Sequence, residues 1–181
     1  YRFDRRTGAL TANDPPYLHT AAGAGPRHFA FSPDSRLIYL INEMNSTIDA
    51  AKWDSKNGLP NVVQTVSTVP EAFSESNSTA EIQVHPNGRF VYGSNRGHNS
   101  IVVFRRDRRS GALTLVEYVS TRGKTPRHFA IDPSGKWLIA ANQNSDSIVV
   151  FRIDQKTGRL SETGQPLSVS MPVCISFVEI K

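Results

Sequence analysis

Short apolar stretches recur along this chain, each cut off by Pro, Gly, Asn or Ser, and none sustains a helical period. Leu37-Ile38-Tyr39-Leu40-Ile41, Ile101-Val102-Val103-Phe104, Trp137-Leu138-Ile139-Ala140-Ala141 and Ile148-Val149-Val150-Phe151 are rich in branched and aromatic residues. Such side chains favour an extended, pleated backbone. The pattern predicts strands at 28–32, 37–42, 47–53 and 61–68, then at 81–85, 90–95, 101–106 and 113–120. A third set is predicted at 128–132, 137–142, 148–153 and 160–168, and a last strand at 172–180. Between the first two strands of each set stand Pro33-Asp34-Ser35-Arg36, Pro86-Asn87-Gly88-Arg89 and Pro133-Ser134-Gly135-Lys136, all turn formers. Asn57-Gly58, Ser110-Gly111 and Thr157-Gly158 supply turn positions that tolerate a positive φ.

The sets are copies of one unit. Pro26-Arg27-His28-Phe29-Ala30-Phe31-Ser32-Pro33 returns as Pro126-Arg127-His128-Phe129-Ala130-Ile131-Asp132-Pro133, and Ala80-Glu81-Ile82-Gln83-Val84-His85-Pro86 is a degenerate copy between them. From Pro33 to Pro86 is 53 residues and from Pro86 to Pro133 is 47, with the extra length in the loop around 70–77. Four short antiparallel strands per unit of this length mark a β-propeller blade. The fold expected is therefore all-β, with blade units near 25–78, 79–124 and 125–171. Residues 1–24 read as the end of a preceding blade, because Tyr1-Arg2-Phe3-Asp4 and Thr7-Gly8-Ala9-Leu10 match the later third strands and their turns. Residues 172–181 read as a closing strand, giving about four blades' worth of a larger ring. Missing N-terminal blades or a second copy would then close it.

Composition narrows the function less than the fold. A net charge of +5 suits an anionic partner, and no apolar run is long enough for a membrane-spanning helix. No secretory leader is recognisable at the start, and a cytoplasmic location is expected. The single cysteine, Cys174, excludes an internal disulfide and lies in an apolar run, which predicts a buried structural thiol. Phe29, Phe31, Tyr39, Trp53, Tyr92, Phe104, Phe129, Trp137 and Phe151 fall on strand positions and are expected to pack between blades.

A four-strand meander sorts its loops onto two faces. The first-to-second and third-to-fourth turns share one face, which carries Arg105-Arg106-Asp107-Arg108-Arg109 and reads as solvated charge. The other connections share the opposite face and bring Arg27, His28, Glu43, Glu81, Arg96, His98, Arg127 and His128 to one funnel. Arginine forks match carboxylate or phosphate oxygens, and His or Glu can serve as a general base. The competing expectation is that these groups satisfy backbone carbonyls or pair with Glu43 and Glu81 to hold blades together. His19 and His85 lack partners at metal-ligand spacing and read as surface or turn residues.

At these residues the chain resembles the seven-bladed 6-phosphogluconolactonase/lactonase propellers, a group that includes the fungal carboxymuconate-lactonizing enzymes. The resemblance rests on Gly25-Pro26-Arg27-His28-Phe29, Leu40-Ile41-Asn42-Glu43-Met44-Asn45, Pro70-Glu71-Ala72-Phe73, Ala80-Glu81-Ile82-Gln83-Val84-His85-Pro86, Ser94-Asn95-Arg96 and Pro172-Val173-Cys174-Ile175-Ser176-Phe177. It implies metal-independent, cofactor-free hydrolysis of a sugar-acid lactone, typically 6-phosphoglucono-1,5-lactone. The resemblance points to Arg27, His28 and Glu43 as catalytic, with Glu81, Arg96, Arg127 and His128 holding the anionic substrate. Glu43 or His28 would activate water. Three other readings remain at this point: a non-enzymatic scaffold propeller, a lactonizing relative, and a metal-dependent gluconolactonase using Glu43, Glu81 and Asn95. Nucleic-acid binding is disfavoured, because the surplus charge is spread over turns.

Overall fold

The computed structural model describes residues 1–178. A two-stranded ribbon, β1 (Arg2–Phe3) and β2 (Leu10–Thr11), precedes three four-stranded antiparallel sheets. The first sheet is β3 (Pro26–Phe31), β4 (Leu37–Asn42), β5 (Thr47–Asp54) and β6 (Leu59–Ser67). The second is β7 (Ser78–Val84), β8 (Phe90–Arg96), β9 (Ser100–Arg106) and β10 (Leu113–Ser120). The third is β11 (Pro126–Ile131), β12 (Trp137–Asn142), β13 (Ser147–Ile153) and β14 (Leu160–Ser168). Strands lie in chain order in every sheet, so each is a simple meander. These strands are the ones expected from the sequence, displaced by three residues or fewer at either end.

The sheets stack face to face, and side-chain alternation along the middle one decides the core. In β9, Ile101 and Val103 turn toward the third sheet, whereas Val102 and Phe104 turn toward the first. The first inter-sheet core therefore joins Leu37, Tyr39, Ile41, Ile48 and Ala50 to Ile82, Val91, Val102, Phe104 and Leu113. The second joins Phe90, Tyr92, Ile101 and Val103 to Phe129, Leu138, Ala140, Val149 and Phe151. Burial on both faces explains why the middle sheet reads as continuous apolar runs.

One set of polar contacts repeats from each sheet to the next. The Tyr39 hydroxyl donates to Gly111 O at 3.0 Å, and the Tyr92 hydroxyl donates to Gly158 O at 2.8 Å. Burying each phenol is thus offset by a partner on the next sheet's turn. Gln64 donates to Leu113 O and accepts from Leu113 N, while Gln83 does the same with Phe129 O and Ile131 N. Glu117 accepts from Leu160 N at 2.8 Å.

Several expectations fail for identifiable reasons. His85 is not at the surface but 1% exposed, pinned between turns. Its Nδ1 accepts from Asn87 N, so Nε2 carries the proton and donates to Gly135 O at 2.8 Å. Arg106, expected in solvent, is 4% exposed, because its position on β9 turns it under the neighbouring turns. Phe29, Phe31 and Trp137 are 60%, 38% and 40% exposed rather than core. Phe29 and Phe31 stand on the face of the first sheet turned away from the second, where Phe29 meets Phe31 and Phe31 meets Trp53, each edge to face. Trp137 is the first residue of β12. Cys174 is exposed, since residues 172–178 pair with no strand among the described residues and no alternation hides it. The end of the expected closing strand, 179–180, lies outside the described residues.

Glycine is required where one sheet presses on the next sheet's turn. A Cβ on Gly111 (φ +84) would lie 2.6 Å from Leu37, and one on Gly158 (φ +78) 2.4 Å from Phe90. Gly8 has a similar φ of +73 but nothing within 4 Å. Gly111→Ala and Gly158→Ala should each lower unfolding free energy by about 2–4 kcal/mol, combining φ strain with overpacking. Gly8→Ala should cost only about 1 kcal/mol. Denaturant titration checks this, and equal losses at all three sites would refute the packing account.

Candidate functional site

The strands β3, β7 and β11 open their sheets and run side by side. Each carries a register irregularity at its start. The ladder slips between Pro26 and His28 in β3, between Thr79 and Ile82 in β7, and between Pro126 and His128 in β11. A bulge adds a residue outside the ladder and re-aims the side chains beside it. Here the affected residues are Arg27 and His28, Ala80 and Glu81, and Arg127 and His128, which occupy the same repeat positions. The degenerate middle copy thus places Glu where both flanking copies place His.

That substitution builds the centre of the site. Glu81 Oε2 lies 2.9 Å from His28 Nδ1 and 3.4 Å from His128 Nε2, so one carboxylate joins imidazoles of two neighbouring blades. Its backbone N donates to Ser94 Oγ at 3.0 Å. His128 Nδ1 accepts from Ile175 N, which leaves the His128 proton on Nε2, facing Glu81. His28, bonded to Glu81 through Nδ1, keeps Nε2 as its basic nitrogen. Its side chain is 43% exposed against 10% for Glu81.

Beside this relay lies a second cluster around Glu43, in the loop after β4. Arg96 Nη2 donates to Glu43 Oε1, and Arg27 Nε stands 3.5 Å from Oε2, so each oxygen faces a guanidinium. Backbone bonds from Glu43 N to Gly25 O and from Thr79 N to Glu43 O tie this loop to the start of β3 and to the second sheet. Arg96 Nη2 also donates to Thr79 O, and Arg27 Nη1 to Ala80 O. Arg27 Nη1 further lies 3.3 Å from both ring nitrogens of His28, against the imidazole. Arg96 Nε is buried with no acceptor among the described residues.

The structure therefore brings Arg27, His28, Glu43, Glu81, Arg96 and His128 into one contiguous network. Arg127 lies close enough for its charge to act on Arg27, yet it forms no ion pair among the described residues. His98 shares the face but turns its ring against Phe73 and Tyr118 and bonds Ser100 Oγ. The competing expectation, that these groups pair with Glu43 and Glu81 across blades, describes these contacts, and the aligned repeats, with Glu81 in the His slot, point to its bridge between two histidines. No three His, Cys, Asp or Glu side chains among the described residues converge as a metal site.

Burial and charge tune the groups. Burial, and after it the Arg96 charge, lowers the Arg27 pKa, with Glu43 acting the other way. Burial lowers the His128 pKa below its ordinary 6.5; Glu81 opposes this, whereas His28 and Arg27 add to it.

Comparison with known proteins identifies the family. The family model "Lactonase, 7-bladed beta-propeller" matches residues 1–177. The 6-phosphogluconolactonase of Bacillus subtilis (strain 168) is 38% identical over 179 residues, covering 98% of this chain and 50% of that protein. The 6-phosphogluconolactonase of Pectobacterium carotovorum subsp. carotovorum (strain PC1) is 40% identical over 125 residues, 69% of this chain and 37% of its own length. The solved periplasmic gluconolactonase of Pseudomonas aeruginosa superposes with a TM-score of 0.90 at 36% identity, covering 95% of this chain and 47% of that one. The chain thus spans half or less of the length of these relatives.

The His128 environment makes a pH prediction. An unfolded histidine takes up its proton near 6.5, whereas folded His128 resists protonation until lower pH. Its contribution to stability is complete above pH 6.5 and is lost as pH falls through the folded pKa. Proton NMR should place the His128 titration below 6.5, and His128→Gln should flatten the acid loss of stability. A midpoint at or above 6.5 would refute the burial argument.

Proposed function

The chain belongs to the lactonase family of seven-bladed β-propellers, and from that premise we propose that it carries the catalytic funnel of a hydrolase acting on a sugar-acid lactone. The preferred substrate in this reading is 6-phosphoglucono-1,5-lactone. What supports it most is the juxtaposition of the His28–Glu81 pair with the Arg27–Glu43–Arg96 cluster on neighbouring strands. One half can move a proton and the other can hold an oxyanion. A scaffold needs neither.

Each group then takes a role from its contacts. His28 Nε2 accepts a proton from water as the water oxygen attacks the lactone carbonyl carbon. Glu81 holds His28 by its Nδ1 proton and stabilises the imidazolium, the part a buried carboxylate plays behind a catalytic histidine. Glu43 is the weaker candidate for the base, because guanidinium groups already face both its oxygens. Its role is to hold Arg27 and Arg96 in place. Arg27 donates to the carbonyl oxygen as it becomes an oxyanion, a contribution of about 10²–10³ in rate. When the tetrahedral intermediate collapses, the bond from carbonyl carbon to ring oxygen breaks. His28 returns its proton to that oxygen, and the open-chain acid releases its remaining proton to solvent to give the carboxylate. Arg127, with no ion pair among the described residues, receives the substrate's phosphate, and Arg96 adds its charge from the Glu43 cluster. No step requires a metal or a cofactor.

Hydrolysis followed by pH-stat on the natural-length protein tests these assignments. His28→Asn should reduce kcat about 10²–10⁴-fold, the usual range for a general base. Arg127→Met should raise KM for the phosphorylated lactone about tenfold or more and leave unphosphorylated gluconolactone little changed. A chelator should not affect turnover. Unaltered turnover in both His28→Asn and Glu81→Gln would refute the proton relay, and chelator-sensitive turnover would refute the metal-free mechanism.

A further inference from the structure

On the face opposite the funnel, the structure buries a charge without an opposing one. Arg106 is 4% exposed, and its Nε and Nη1 are both inaccessible and lack any hydrogen-bond acceptor among the described residues. Arginine cannot discharge itself by losing a proton, so its burial has to be balanced by something. The nearest carboxylates are already committed. Asp34 accepts from the Ser32 hydroxyl through Oδ1 and from Arg36 Nε and Nη2 through Oδ2. Asp107 Oδ1 accepts from Arg109 N, Ser110 N and the Ser110 hydroxyl. The neighbouring Tyr39 phenol is held un-ionised by burial, against the pull of Arg106, and its proton goes to Gly111 O.

This guanidinium lines a cavity of about 240 Å³ with Pro33, Asp34, Asn87, Gly88 and Arg108. The wall is built for close approach to the backbone. Gly88, at φ +69, leaves room where a Cβ would stand 3.6 Å from Arg106 Nη2. Asn87 Oδ1 accepts from Arg89 N, which leaves the amide's NH2 end as a donor. Arg108 is exposed at the rim and also borders an adjoining hollow with Lys52 and Arg109. Two arginines, an amide and a missing side chain frame a space of oxyanion size, together with the Asp34 carboxylate that Arg36 and Ser32 hold.

We propose that this cavity, between the first turns of the first two complete blades, is a binding site for a phosphate-sized oxyanion. Arg106 supplies the buried charge, Arg108 closes the rim, and Asn87 adds a neutral donor. The ligand is free inorganic phosphate or the phosphate group of a small metabolite, whose chemistry the site reads in the same way. The site is independent of the proposed lactonase chemistry and shares no residue with it.

The test reads Arg106 itself. In the natural-length protein, the ¹⁵N–¹H signal of Arg106 Nε is followed while inorganic phosphate is added at constant ionic strength. A saturable shift that chloride does not reproduce, and that persists in an Arg127→Met variant, is the expected result. Comparison with glucose 6-phosphate separates free phosphate from a phosphate ester. Arg106→Met should weaken phosphate binding at this site about ten- to a hundredfold, the range for losing charge-assisted donors. Should that variant fold poorly, Arg108→Gln provides the same comparison from the rim. An Arg106 signal unmoved by phosphate overturns the proposal. So does strong stability coupling between Arg106 and Asp34 in a double-mutant cycle without phosphate, because Asp34 would then be the counter-charge.

Discussion

The site depends on a carboxylate that would be untenable alone. Glu81 is 8% exposed, and a buried carboxylate without donors is driven to neutralise itself or unfold its surroundings. Its donors come from two other blades, His28 on one side and His128 on the other. The relay therefore exists only when three consecutive sheets are stacked in register with their bulges in phase. Repeat geometry guarantees that phase. Each first strand slips at the same position, so equivalent residues arrive at equivalent heights beside the axis. Stacking that buries the apolar cores and positioning that assembles the site are one event.

Much of this was readable from residues alone. The turn-forming Pro, Asn and Gly positions fixed the strand boundaries, and the repeated Pro-Arg-His placed the polar residues on one face. What escaped was whatever depends on two blades at once. A charged run such as Arg105-Arg106-Asp107-Arg108-Arg109 looks uniformly solvated, but alternation along β9 turns Arg106 inward while Arg105 and Arg108 stay outside. His85 looked like a turn residue and is one, but the neighbouring turn covers it through Gly135. Phe29 and Phe31 sit at strand positions that read as core, although only one face of their sheet is covered by another four-stranded sheet. Repeats make local structure easy to read and hide the contacts between repeats, because those contacts join residues 50 to 72 positions apart.

The basic surplus of +5 now has two addresses instead of a general one. At the funnel, Arg27, Arg96 and Arg127 meet Glu43 and Glu81, so the local charge stays close to balance. On the opposite face the carboxylates are consumed by their own turns, and the arginines are left over. The first arrangement orients guanidinium groups with precision. The second leaves one of them under-solvated.

One repeated set of polar links between sheets runs from a side chain on one sheet to the backbone of the next, while Thr79 and Asn142 reach back to the chain before. Each blade thus caps the turn or strand of its successor, as a roof tile overlaps the one below. In a quasi-one-dimensional array, stability is the sum of blade terms and nearest-neighbour terms. Loss of one blade exposes the apolar face of the next and frees backbone groups on that same face, so fraying travels along the array from the blade that is lost. Such a stack melts as a procession.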